Sequence, residues 1–124
     1  MAKVFIVDND RTTVALLKIL LELDGYTVEI AGNPVAVLDE VRTAAPDVVL
    51  MDVFLTGGDG LDLLRRMRAS PDLATVPVLM TSGMSLADEC SVAGADGFLL
   101  KPYAPEQLTQ ALQRTLALKG RGSE

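Results

Sequence analysis

Asp47-Val48-Val49-Leu50-Met51-Asp52 decides how the chain is read: four apolar residues between two carboxylates, with Pro46 before them and Gly57-Gly58 after. The run is too short for a helix and does not alternate with polar residues. It therefore reads as a central parallel strand buried on both faces. Parallel sheets carry their chemistry beyond the carboxyl ends of their strands. Asp52 stands at that end, and the rest of the sequence can be asked what it brings there.

Working outward, strand-like and helix-like periods alternate. Residues 3–8, Lys3-Val4-Phe5-Ile6-Val7-Asp8, form a first buried strand that also ends in a carboxylate. From Asp10 the period becomes helical, with Val14, Leu17, Leu20 and Leu21 inward, Lys18 and Glu22 outward, and Gly25 as the stop. Residues 26–30 form a second strand. Pro34 opens a helix whose apolar face is Val37, Leu38 and Val41, and Pro46 is expected to end it. Residues 60–68 are helical, with Leu61, Leu64 and Met67 inward and Arg65, Arg66 and Arg68 expected on a solvated face that complements the helix dipole. A fourth strand, 77–82, ends in the hydroxyls of Thr81 and Ser82. A short helix around 86–92 leads to Gly94-Ala95-Asp96-Gly97 and a fifth strand, 98–101, ending in Lys101. Pro105 opens a last helix with Leu108, Ala111, Leu112 and Leu116 inward. Five strands and five helices joined by short loops imply an open, doubly wound α/β fold with a parallel sheet. The domain is expected over residues 1–119, with 120–124 as a flexible tail or the start of a linker.

Composition narrows the function classes. A chain of 124 residues, 49% hydrophobic and 23% charged, suits one ordered globular domain. Its net charge of −6 repels nucleic-acid phosphate. Without histidine there is no imidazole base and no His-based zinc site, and the single Cys90 reads as a small buried apolar residue. The first strand is too short for a signal peptide or membrane span, so a cytoplasmic location is expected.

The strand ends carry the chemical signal. An Asp at a strand end is by itself usually a turn former or helix cap. Here Asp8, Asp52, Ser82 and Lys101 end four separate strands, and local turn chemistry gives them no reason to converge. Crowded carboxylates need a cation between them, and an all-oxygen donor set suits Mg2+.

In these residues the chain resembles the receiver domain of bacterial two-component response regulators over about its whole length. The matching segments are Val7-Asp8-Asn9, Leu50-Met51-Asp52, Asp59-Gly60, Thr81-Ser82-Gly83, Gly94-Ala95 and Phe98-Leu99-Leu100-Lys101-Pro102-Tyr103. The resemblance implies a flavodoxin-like sheet of order 2-1-3-4-5 and a cis Lys101–Pro102 bond. It implies phosphorelay signalling in which Asp52 accepts a phosphoryl group from a histidine kinase or phosphotransfer protein, without the domain being an enzyme for another substrate. Mg2+ would be held by Asp8, Asn9, Asp52 and the Phe54 backbone carbonyl, with Lys101 and Ser82 on the phosphoryl oxygens. Ser82 and Phe98 would form the switch, read by a downstream protein target or through a phosphorylation-dependent dimer. No contact with nucleic acid or membrane is implied.

Three positions depart from the family pattern. Asn9 stands where a second acid is usual, and its neutral amide is a weak Mg2+ ligand. Thr56-Gly57-Gly58 replaces a proline-containing turn. Phe54 and Met84 are apolar where polar residues often orient water. These departures support an alternative, a degenerate receiver that binds partners without phosphorylation. A second alternative comes from Asp8-Asn9-Asp10-Arg11-Thr12, which resembles the motif of haloacid-dehalogenase-like phosphatases, with Asp8 as nucleophile and Asp10 as general acid. Against it, no acidic pair follows Lys101 and no insertion caps a substrate.

Overall fold

The computed structural model describes residues 2–32 and 34–122. Its sheet is built from β1 (Lys3–Val7), β2 (Thr27–Ile30), β3 (Val48–Asp52), β4 (Val78–Ser82) and β5 (Gly97–Leu100). All neighbours pair in parallel, in the order β2-β1-β3-β4-β5. This is the predicted flavodoxin-like arrangement. The helices are α1 (Arg11–Leu23), α2 (Val37–Ala44), α3 (Gly60–Ala69), α4 (Ala87–Ala93) and α5 (Pro105–Gly122). A 3-10 turn, Pro34–Ala36, precedes α2. Of the tail expected at 120–124, helix α5 includes residues up to Gly122, while Ser123 and Glu124 lie outside the described residues.

Alternation along each strand divides the core into two layers. Val4, Ile6, Val48, Leu50 and Leu79 pack with Val14, Leu17 and Leu21 of α1 and with Leu108, Ala111 and Leu112 of α5. Phe5, Val7, Val49, Met51, Val78 and Met80 face the other way, onto Val37 and Val41 of α2, Leu64 and Met67 of α3, and Cys90 of α4. Both faces of β1, β3 and β4 are therefore dry, which explains their continuous apolar runs. Each large side chain buried here contributes about 1.5–3 kcal/mol. Cys90 is free and buried, and burial raises its thiol pKa.

One local expectation is refined, and a second is corrected. Helix α2 ends at Ala44, capped by Ala45 in the left-handed conformation, φ 47°, directly before Pro46. Such a geometry costs a non-glycine residue about 1–2 kcal/mol. The next residue, Pro46, lacks the N–H that a further helical turn would need. The correction concerns Arg68, which is not on a solvated face. Its side chain is only 20% exposed and pairs with Asp96 Oδ2 at 2.9 Å. Its Nε donates to the Gly94 carbonyl at 2.8 Å and its Nη1 to the Val76 carbonyl at 2.8 Å, with longer bonds to Leu73 and Ala74. Asp96 Oδ2 also accepts from the Val78 backbone N–H at 2.8 Å. One guanidinium thus ties the end of α3 to the loop before β4 and to the turn before β5. Arg65 and Arg66 are exposed as expected.

Candidate functional site

The carboxyl ends of β1, β3 and β5 bring Asp8, Asp52 and Lys101 together. Lys101 Nζ donates to Asp52 Oδ2 at 2.9 Å and to Asp8 Oδ2 at 3.2 Å. The two carboxylates are 7% and 14% exposed, for Asp8 and Asp52 respectively, so this ammonium offsets one of the two charges of a largely desolvated acidic pair. Burial pulls the Lys101 pKa down, but the hydrogen bonds and charges of Asp52 and Asp8 outweigh it and hold the pKa above the usual lysine value. The Lys101–Pro102 peptide bond is cis, as predicted.

That shift fixes a pH dependence. A raised folded-state pKa contributes stability that is full below the unfolded pKa, about 10.4, and is lost as pH rises through the folded value. The stability gap between wild type and Lys101→Met, measured by urea unfolding, is expected to narrow above about pH 10.5. A gap that stays constant into strongly alkaline solution would refute this coupling.

The remaining oxygens of the acidic pair are held by the backbone. Asp8 Oδ1 accepts from the Asp10 N–H at 3.0 Å, and Asp52 Oδ1 from the Phe54 N–H at 3.2 Å. Both rotamers are fixed by the turn that follows each strand. Gly60 is required by a close approach: a Cβ there would collide with the Asp52 carbonyl oxygen. Its N–H donates to the Val53 carbonyl at 2.7 Å, closing the loop that leaves the site. Phe54–Leu55 and Gly58–Asp59 pair as a two-residue antiparallel ladder within that loop.

Asn9 and Ser82 lie beside this centre and make different contacts. Asn9 Nδ2 donates to the Phe54 carbonyl at 3.3 Å, the carbonyl predicted to face a metal. Ser82 is fully buried, and its hydroxyl accepts from the Met84 N–H at 3.0 Å. Phe98 is half-buried and packs against the layer that contains Met80. Phe54 and Met84 are 55% and 57% exposed, so neither side chain closes over Asp52. Beside Asp8 lies a cleft of about 650 Å3, lined by Asn9, Arg11, Lys18 and Thr56 on its polar side and by Ile30 and Leu55 on its apolar side.

The donor set fits a hard divalent cation. Asp8, Asp52, Asn9 and the Phe54 carbonyl lie at one edge of the sheet, and oxygen is a donor each of them can offer. Among the described residues no three His, Cys, Asp or Glu side chains form a metal-holding group. Asp10 serves as the cap of α1, its carboxylate accepting from the N–H groups of Thr12 and Thr13 and from the Thr13 hydroxyl. The Thr13 hydroxyl lowers its pKa. Committed to the cap, Asp10 gains no support as the general acid of a dehalogenase-like phosphatase.

An open parallel sheet with an acid–lysine centre at its carboxyl edge defines a flavodoxin-like α/β domain. The chain belongs to the response regulator receiver domain family, whose sequence model matches residues 4–113. Response regulator MprA of Mycobacterium sp. (strain KMS) is 33% identical over 117 residues, which cover 92% of this chain and 50% of that protein. The chain thus spans about half the length of the curated relatives it matches. Chemotaxis protein CheY4 of Vibrio cholerae superposes with a TM-score of 0.85 at 30% identity, covering 93% of this chain and 98% of that one. The receiver domain of a sensor histidine kinase from Pseudomonas aeruginosa PAO1 shares the fold, with a TM-score of 0.83 at 24% identity over 94% of this chain and 98% of that one. That structure has a magnesium ion coordinated in its active-site cleft.

Proposed function

We infer that this domain, spanning residues 1–119, accepts a phosphoryl group on Asp52 from a histidine kinase or phosphotransfer protein and passes the signal on by protein contact. The observation that carries this reading is the part-buried Asp8–Lys101–Asp52 centre, assembled from the ends of three strands far apart in sequence. A carboxylate is a weak nucleophile, and transfer to it depends on positioning and on neutralising the phosphoryl oxygens. Lys101, already charged and anchored between the carboxylates, is placed to hold one such oxygen. Mg2+ held by Asp8, Asp52 and the Phe54 carbonyl would supply further positive charge. Ser82 accepts from the Met84 N–H and keeps its own O–H as a donor for a phosphoryl oxygen, and Phe98, half-buried on the adjacent strand, is the residue proposed to follow it inward. Those two residues form the proposed switch. The domain works on itself and is not assigned a separate enzymatic substrate. Among the described residues no helix is long and apolar enough to cross a membrane, and a cytoplasmic site of action is part of the proposal. Partners are the phosphodonor protein and a protein target, or a second copy in a phosphorylation-dependent dimer, with no nucleic acid contacted by this domain.

Incubation with acetyl phosphate and Mg2+, followed by intact mass and site mapping, tests the assignment. One phosphoryl group at Asp52 is the expected result. The second reading, a degenerate receiver, draws on Asn9 and the metal-holding group it leaves short, and it predicts no label at any Mg2+ concentration.

Two further outcomes follow from the departures. Asn9→Asp adds a charged ligand and is expected to tighten Mg2+ binding by about tenfold, or about 1.4 kcal/mol. Calorimetric titration showing equal or weaker binding would count against a metal at this position. The phosphorylated state, once formed, should be long-lived, because hydrolysis needs an in-line water and neither Phe54 nor Met84 can hydrogen-bond one. Replacing both, Phe54→Asn with Met84→Glu, should speed decay by about tenfold at saturating Mg2+. An unchanged decay rate would show that these positions do not place the water.

A further inference from the structure

A hydrogen bond near the acidic centre gives Asn9 a role other than that of a substitute ligand. Its Nδ2 donates to the Phe54 carbonyl oxygen, the atom proposed to face the metal. In that orientation an amide N–H, not the amide oxygen, meets the carbonyl proposed to bind the cation. The arrangement completes a ring. Lys101 joins Asp8 to Asp52, Asp52 accepts from the Phe54 N–H, and the Phe54 carbonyl accepts from Asn9, which follows Asp8 in the chain. Every link is made by the protein itself, and Lys101 supplies the positive charge.

We propose that Asn9 is a latch that holds the site closed in the metal-free protein, so that Mg2+ binding and the opening of the Asn9–Phe54 bond are one event. This deepens the receiver reading and rests on its metal site. An aspartate at position 9 could not make this bond, since an ionised carboxylate has no hydrogen to donate. Removing the latch does not release the loop after Asp52. The loop keeps the Phe54 N–H bond to Asp52, the Gly60 N–H bond to Val53, and the two-residue ladder. The Asn9 bond is thus an added restraint on the carbonyl, and on this proposal metal entry breaks it. Its exposed setting puts it at the low end of the worth of a net hydrogen bond, about 0.7 kcal/mol, or about threefold in an equilibrium.

The discriminating variant is Asn9→Ala, which removes the latch and adds no ligand. If Asn9 is a latch, Asn9→Ala binds Mg2+ about threefold more tightly than wild type. Its thermal midpoint in EDTA should also fall below that of wild type, with the difference shrinking at saturating Mg2+. Asn9→Asp should bind more tightly than either, because it loses the latch and gains a charge. Weaker binding by Asn9→Ala would identify Asn9 as a ligand and overturn the proposal, and equal binding would show that the bond carries no weight and overturn it too. The receiver reading fails separately, if wild type takes up neither Mg2+ nor phosphoryl label.

Discussion

Asp52→Asn is expected to reduce phosphoryl incorporation from acetyl phosphate and Mg2+ to background while the domain stays folded. The substitution removes the nucleophilic carboxylate, and an amide nitrogen cannot replace it. The packing around it changes little. The introduced amide would keep an oxygen to accept from the Phe54 N–H, now at 3.2 Å from Asp52 Oδ1; its NH2 replaces the oxygen that accepts from Lys101, which would turn fully to Asp8, its partner at 3.2 Å. One buried negative charge disappears from a site that holds two for one ammonium. Stability should therefore change by no more than about 1 kcal/mol. Intact mass and peptide mapping give the chemical answer, and urea unfolding gives the control. Label that persists on a folded Asp52→Asn protein, at Asp8 or elsewhere, would remove Asp52 as the acceptor.

The parallel α/β sheet and the convergence of Asp8, Asp52 and Lys101 were legible in the sequence because both depend on period, whereas the strand order came with the family resemblance. Val48 to Met51 can be buried on both faces only in a central parallel strand, and the residue after such a run must emerge at the sheet edge. Lys101 follows Gly97–Leu100, an edge strand in which only Leu99 is buried, so there the apolar run alone marked the strand. Features that depend on the rotamer of one side chain were not legible. Ser82 ends its strand as expected, yet its hydroxyl turns to the Met84 N–H, a local bond that a spacing argument does not register. Asn9 could be recognised as a missing acid, but the direction of its amide could not. Asp59–Gly60 stood out as a pair, whereas its cause is spatial: the N-terminus of α3 comes so close to the Asp52 carbonyl that no side chain fits.

Arg68 shows the limit most clearly, because helical spacing assigned it to solvent. Its carbonyl partners Leu73, Ala74, Val76 and Gly94 lie 5, 6, 8 and 26 positions away, and carbonyls are invisible to any reading of side-chain type. Arg68→Leu is expected to destabilise the domain by about 3 kcal/mol, since it strips donors from several backbone carbonyls and leaves Asp96 without its cation. For a domain of this size that lowers the thermal midpoint by about 10 °C. Arg68→Lys should recover little of the loss. A single ammonium cannot reproduce a planar fork that bonds Gly94, Val76 and Asp96 from three different nitrogens. Asp96 still accepts from the Val78 N–H, which moderates the cost of leaving it unpaired. The anchor sits at the amino-terminal ends of β4 and β5, across the sheet from the acidic centre, so folded Arg68→Leu should take up phosphoryl groups at the wild-type rate. Urea unfolding of wild type, Arg68→Leu and Arg68→Lys measures the first effect, and labelling at a temperature where all three are folded measures the second. A loss below about 1 kcal/mol, the scale of an exposed ion pair, would return Arg68 to the surface role that its spacing suggests.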